Sequence, residues 1–189
     1  GHFSLKKSLL KGKIGKLEKI IITSRDPAPP SLEYLKNSGG IFRDMTIHDF
    51  DLARFYLGND PVKEVFASAT NISDSRFKKI NDYEIATCIL KSKSGVISVI
   101  NNSRHCAFGY DQRVEIFGKK GMLISGNKRK YNFFIDRYRS AYKLQLEDLS
   151  NLFKKNKKPR ASFEDGEKSL LIANAAYKSL RSKKVVRIK

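Results

Sequence analysis

Asp44 and His48 stand four residues apart in a stretch, residues 43–57, whose apolar spacing predicts the clearest helix of the chain. At that spacing both side chains leave one helix face, a turn apart. An aspartate beside an imidazole can fix its tautomer and raise its basicity, leaving the free ring nitrogen as general acid or base near neutral pH. Alternatively both groups can address one ligand hydroxyl. The same face continues through Asp51, Leu52 and Phe55, so one end is polar and the other packs. Spacing alone favours a plainer alternative, an exposed pair that adds a little helix stability. A second candidate is Phe108-Gly109-Tyr110-Asp111. Rings around a glycine can wall a sugar-like ligand and offer it a phenol hydroxyl, or can be a simple turn with one packed ring. His105 reads as structural, and His2 is given no role.

The elements that must hold these groups follow from the pattern. The β-branched run Ile20-Ile21-Ile22-Thr23 predicts a strand over 17–23, after a short helix that ends at Gly12. Prolines 27, 29 and 30 impose an extended loop, and Ser38-Gly39-Gly40 a tight turn just before the Asp44 segment. Four strands are expected at 62–70, 83–92, 96–104 and 112–117, with a short one at 122–125. Lys93-Ser94-Gly95 makes a hairpin between the second and third. Residues 138–154 and 164–181 read as helices, the latter with Ser162 as N-cap and Asp165 as its capping partner. Residues 185–188 close as a strand. Consecutive hairpins imply an α+β fold, an open antiparallel or mixed sheet with helices on one face. Residues 1–189 form one domain in this reading.

Charge is the compositional outlier. Thirty-eight Lys and Arg face nineteen Asp and Glu, for a net charge of +19. Lysine outnumbers arginine, the residue favoured for bidentate phosphate recognition, which argues against a built nucleic-acid site. The excess also sits away from the candidate site: residues 128–189 hold 18 basic against 6 acidic residues, residues 31–60 only 3 against 5. The densest run, 154–160, reads as a solvated helix end and loop. Two cysteines, Cys88 and Cys106, and three histidines exclude a zinc site of ordinary spacing, and no metal is expected. Buried free thiols are expected of the cysteines. No apolar run approaches ~18 residues and no secretory pattern opens the sequence, so a cytoplasmic protein without a membrane partner is expected.

Ser24-Arg25-Asp26-Pro27-Ala28-Pro29-Pro30, with Ser38-Gly39-Gly40-Ile41-Phe42-Arg43-Asp44-Met45-Thr46-Ile47-His48-Asp49-Phe50-Asp51, resembles the carboxy-terminal domain of inositol 2-dehydrogenases. These belong to the glucose–fructose oxidoreductase / inositol dehydrogenase superfamily. Phe108-Gly109-Tyr110-Asp111, Val114-Glu115-Ile116-Phe117-Gly118 and Phe163-Glu164-Asp165-Gly166 are similar to that family too, so the resemblance covers nearly the whole chain. It implies an open-sheet α+β domain that supplies substrate contacts and, through the sheet, a homo-oligomer interface. It implies His48 and Asp44 as catalytic residues: His48 would take the hydroxyl proton as hydride leaves for NAD or NADP, and Asp44 would position substrate and His48. More loosely, Asp26 and Tyr110 would contact a cyclic polyol or related sugar. The family's dinucleotide-binding G-x-G-x-x-G and its Glu-Lys-Pro motif are absent from this sequence. The expectation is therefore the substrate-binding and oligomerisation part of a dehydrogenase, inactive without a nucleotide-binding Rossmann domain, with residues 1–12 a remnant helix of the interdomain region. A non-catalytic oligomerisation fragment and a basic nucleic-acid-binding domain are the alternatives.

Overall fold

The computed structural model of the chain describes residues 1–126, 134–155 and 159–189. In chain order its elements are α1 (His2–Leu10), β1 (Leu17–Arg25), α2 (Leu32–Asn37), α3 (Ile41–Asp44), α4 (Thr46–Leu57), β2 (Val62–Thr70), α5 (Arg76–Lys79), β3 (Ile85–Ser92), β4 (Ile97–Ser103), β5 (Asp111–Gly118), β6 (Gly121–Ser125), α6 (Phe134–Lys155), α7 (Phe163–Ser182) and β7 (Val186–Arg187). The strands form one open mixed sheet in the order β6-β5-β1-β4-β3-β2-β7. Only the central β1 and β4 run parallel; the other described pairings are antiparallel.

Alternation along the strands builds a single core. Ile20, Ile22, Val65, Leu90, Ile100 and Ile116 point from the sheet into one layer and are fully buried. They meet Phe42 of α3, Phe50 and Tyr56 of α4 and Ile172 of α7. Those helices cover one sheet face. On the other face Ile21, Phe66, Ile89 and Val99 alternate outward and remain partly or largely exposed. α7 opens with the expected capping box, in which Ser162 and Asp165 satisfy each other's backbone N–H. The Asp165 carboxyl is held down at about 2 by the Ser162 N–H and then by Arg54.

The helix expected over 43–57 is two helices. α3 is a single turn ending at Asp44, and Met45 (φ −104°, ψ −59°) separates it from α4. That φ departs from the ~−63° of a regular helix, and one element ends and the next begins on either side of it. α2 and α5, of six and four residues, lie in stretches to which the sequence pattern assigned no element. The basic run 154–160 falls only partly within the described residues, since 156–158 lie outside them.

Candidate active site

Strand polarity explains where the candidate residues meet. β1 and β4 are parallel, with Arg25 opposite Ser103, so the residues that follow, Asp26 and Arg104, leave the sheet side by side. The Asp26 N–H donates to the Ser103 carbonyl at 2.9 Å. β5 is antiparallel to β1 and pairs Asp111 with Arg25, which brings the preceding Tyr110 to the same edge. Ligand sites in open sheets with parallel strands form beyond such carboxyl ends. Here a cleft of about 1260 Å³ opens there, lined by Asp26, Tyr34, Asp44, His48, Arg104 and Tyr110 among others. All four residues singled out in the sequence thus share one cavity.

His48 is placed by the residue after it. Asp49, in the first turn of α4, is 3% exposed and accepts from Ser24 Oγ of β1 at 2.7 Å and Asn102 Nδ2 of β4 at 2.6 Å. A buried carboxylate needs such donors, and the N-terminal turn of a helix favours its charge. The anchor fastens α4 across the parallel seam and leaves the neighbouring His48 exposed on the cleft side. Burial still dominates the Asp49 equilibrium: its carboxyl is raised to about 6, against the pull of both donors. Asp26 is also raised to about 6, by burial first, with Arg104 pulling it down and Asp44 and Asp49 pushing it up. Burial, together with the Asp26 charge, raises the Tyr110 phenol.

Asp44 has partners that spacing did not suggest. One carboxylate oxygen accepts from the Tyr34 hydroxyl at 2.5 Å, the other from Arg104 Nη1 at 2.8 Å. No hydrogen bond joins Asp44 to His48 among the described residues; the two stand on either side of the break at Met45. The bond to Asp44 is the main reason the Tyr34 phenol is raised. Phe108 is 61% exposed, so it does not pack as a wall, whereas Tyr110 is half-buried at the cleft. His105 is held through the hydroxyl of Ser103, which receives its N–H and donates to its carbonyl. His2, given no role by the sequence, bonds the Tyr56 hydroxyl and lines the cleft.

Sequence reasoning missed Arg104, Tyr34, Asp49 and Asn102. One signal was present: Asn101-Asn102-Ser103-Arg104 is a polar run closing an otherwise apolar strand, and polar residues at a strand's carboxyl end are what a site requires.

No cluster of three or more metal-ligating side chains occurs among the described residues. Among the described residues the phosphates of a dinucleotide have no cradle either. The loops leaving the parallel strands read Asp26-Pro27-Ala28 and Arg104-His105-Cys106, without the glycine turn into a helix N-terminus that pyrophosphate needs. Asp26 would moreover repel it. The residues present fit a neutral polyhydroxyl ligand and do not fit the phosphates of NAD.

Residues 3–124 match the family model of the GFO/IDH/MocA C-terminal domain. The chain belongs to that family. As a GFO/IDH/MocA C-terminal domain it is 42% identical over 97% of its length to a myo-inositol 2-dehydrogenase of Thermotoga maritima. It is 39% identical over 99% to an inositol 2-dehydrogenase of Rhizobium meliloti. It spans 60% and 62% of those two proteins. The crystal structure of a myo-inositol dehydrogenase from Corynebacterium glutamicum superposes with a TM-score of 0.94 at 36% identity, covering 100% of this chain and 61% of that one. The open mixed sheet with its one-sided helical layer is thus the fold of this family's C-terminal domain. No described helix is long and apolar enough to cross a membrane.

Proposed function

We propose that this chain is the substrate-binding and oligomerisation part of an NAD(P)-dependent inositol 2-dehydrogenase, acting with a nucleotide-binding domain that lies outside residues 1–189. The observation that carries this reading is the meeting of Asp26, Asp44, His48 and Tyr110 around one cleft at the carboxyl ends of β1 and β4. A cyclic polyol offers several vicinal hydroxyls, and a few convergent acceptors and donors can orient it. Asp26 and Asp44 accept hydroxyl hydrogens, and Tyr110 gives or accepts one. Oxidising a secondary alcohol removes a hydride and a proton; a nicotinamide held by the nucleotide-binding domain would supply the hydride acceptor. His48, exposed on the cleft side, takes the proton. Asp44 fixes the ring's orientation by binding its hydroxyls. Five aspartates line the cleft, Asp26, Asp44, Asp49, Asp51 and Asp165, against four arginines, Arg54, Arg104, Arg113 and Arg160, so it is not the basic surface a polyanion needs despite the net charge.

The test joins this chain to the nucleotide-binding half of the Thermotoga maritima relative and follows reduction of NAD with myo-inositol. A folded chimera is expected to turn over, and His48→Ala to slow it on the order of a thousandfold, the share a general base commonly supplies. A folded chimera that binds NAD yet never oxidises myo-inositol overturns the assignment and leaves the non-catalytic fragment.

A further inference from the structure

Arg104, just beyond the end of β4, is among the largest fully buried side chains of the described residues, at 1% exposed. Its guanidinium divides between two carboxylates. Nη1 donates to Asp44 Oδ2 at 2.8 Å, and Nη2 lies 3.3 Å from Asp82 Oδ2. The other oxygen of Asp82 accepts the N–H of Ile41 at 2.8 Å. Ile41 opens α3 and Asp44 closes it. One guanidinium therefore holds both ends of a four-residue helix, directly at its end and through Asp82 at its start. A single helical turn cannot sustain itself, since its nucleus fixes several residues for one hydrogen bond. α7 holds the outer side of α3, where Arg43 donates to Asn174 and the Phe42 N–H to the Tyr177 hydroxyl; Arg104 and Asp82 supply the tie from the sheet side.

We infer that Arg104 is a positioning residue of the polyol site: it fixes α3, and through α3 the direction in which Asp44 presents its Tyr34-facing oxygen to the cleft. This rests on the polyol reading above. The fork geometry is essential to it. A guanidinium delivers two directed donors from one plane, whereas a lysine ammonium is a point charge that cannot span both carboxylates in the same way. A buried apolar side chain of similar length would fill the volume and leave two carboxylates facing each other without a counter-charge. Arg104 also faces Asp26 electrostatically and draws its carboxyl down. Around Asp26 the charged and titratable groups are Arg104, Asp44, Asp49, His48, Tyr34 and Tyr110.

The test is calorimetric titration of the 189-residue chain and its variants with myo-inositol, alongside carboxyl NMR of Asp26. Arg104→Met, matched in shape, is expected to bind on the order of a hundredfold more weakly, as misplacement of a contact group by about 1 Å can cost. Arg104→Lys is expected to recover part of that loss. Asp82→Asn, which leaves the cleft-lining residues untouched, is expected to weaken binding as well. The Asp26 carboxyl should titrate higher in Arg104→Met than in the parent and be largely restored in Arg104→Lys. If Arg104→Met does not fold, the lysine and Asp82 variants carry the same comparison. Folded variants that bind myo-inositol as the parent does overturn the inference alone. A parent chain that binds no myo-inositol overturns the polyol reading, and this inference with it.

Discussion

Asp49 and Asp26 both titrate at about 6, above the ordinary 3.8, so the folded protein holds their protons more tightly than the unfolded chain does. Each such group stabilises the fold fully below ~pH 4 and loses that contribution as pH rises through about 6. For the deeply buried Asp49 the loss is about 2 to 3 kcal/mol. Asp49→Asn should remove it: the variant's Tm relative to the parent is expected to rise between pH 4.5 and 7.5, measured by thermal unfolding. The buried Asn102 Oδ1, which lacks a partner, can then accept from the new amide. Parallel Tm profiles for the two proteins would show that Asp49 is not burdened by burial. Asp44, His48, Asp26 and Tyr110 could be named as candidates because their types and local spacing carried the resemblance, and the fold brings the four to one cleft. Arg104 and Asp49 could not, because their roles depend on partners 60, 53 and 25 residues away along the chain. No local window contains such a pairing.

At the scale of elements, strands were read to within a residue or two, since period-two alternation and the Lys93-Ser94-Gly95 turn are local signals. The Asp44 helix was misread because its apolar spacing continues across Met45; the interruption comes from anchors on both sides, Arg104 and Asp82 on α3 and the Asp49 cluster on α4. α2 follows Pro29-Pro30 and is too short to show a period. Gly39 and Gly40, with φ of 83° and 82°, let the chain turn sharply into α3. A Cβ on Gly40 would collide with the Tyr177 hydroxyl, which itself donates to the Gly39 carbonyl. Gly40→Ala is therefore expected to cost roughly 2 kcal/mol from left-handed strain and the clash together. It should also lower myo-inositol affinity by displacing Asp44. A variant with unchanged Tm and affinity would contradict the view that this turn sets the site.

The whole molecule presents two contrasting surfaces. One sheet face is covered by helices; the other keeps an apolar row across the strands, where Phe66 pairs Ile89, Ile89 pairs Val99 and Val99 pairs Ile21. A mostly antiparallel sheet can leave one face to water, but a contiguous apolar row marks an interaction surface, and in the proposed function a second copy covers it. Ile89→Lys, at a 42% exposed position, should leave the fold intact and shift the protein to monomer in light scattering. A parent that is itself monomeric at high concentration would contradict that use of the face. The sequence placed the fold class, the family and the shared site without locating the cleft, because a cleft exists only once β1 and β4 run parallel and β5 returns beside them. The central claim is that this cleft receives a cyclic polyol, and its most direct measurement is an NMR titration of the chain with myo-inositol. Shifts concentrated at Asp26, Asp44, His48 and Tyr110, and lost in Asp44→Ala, are the expected result. A saturating ligand concentration that moves none of these four resonances would contradict it.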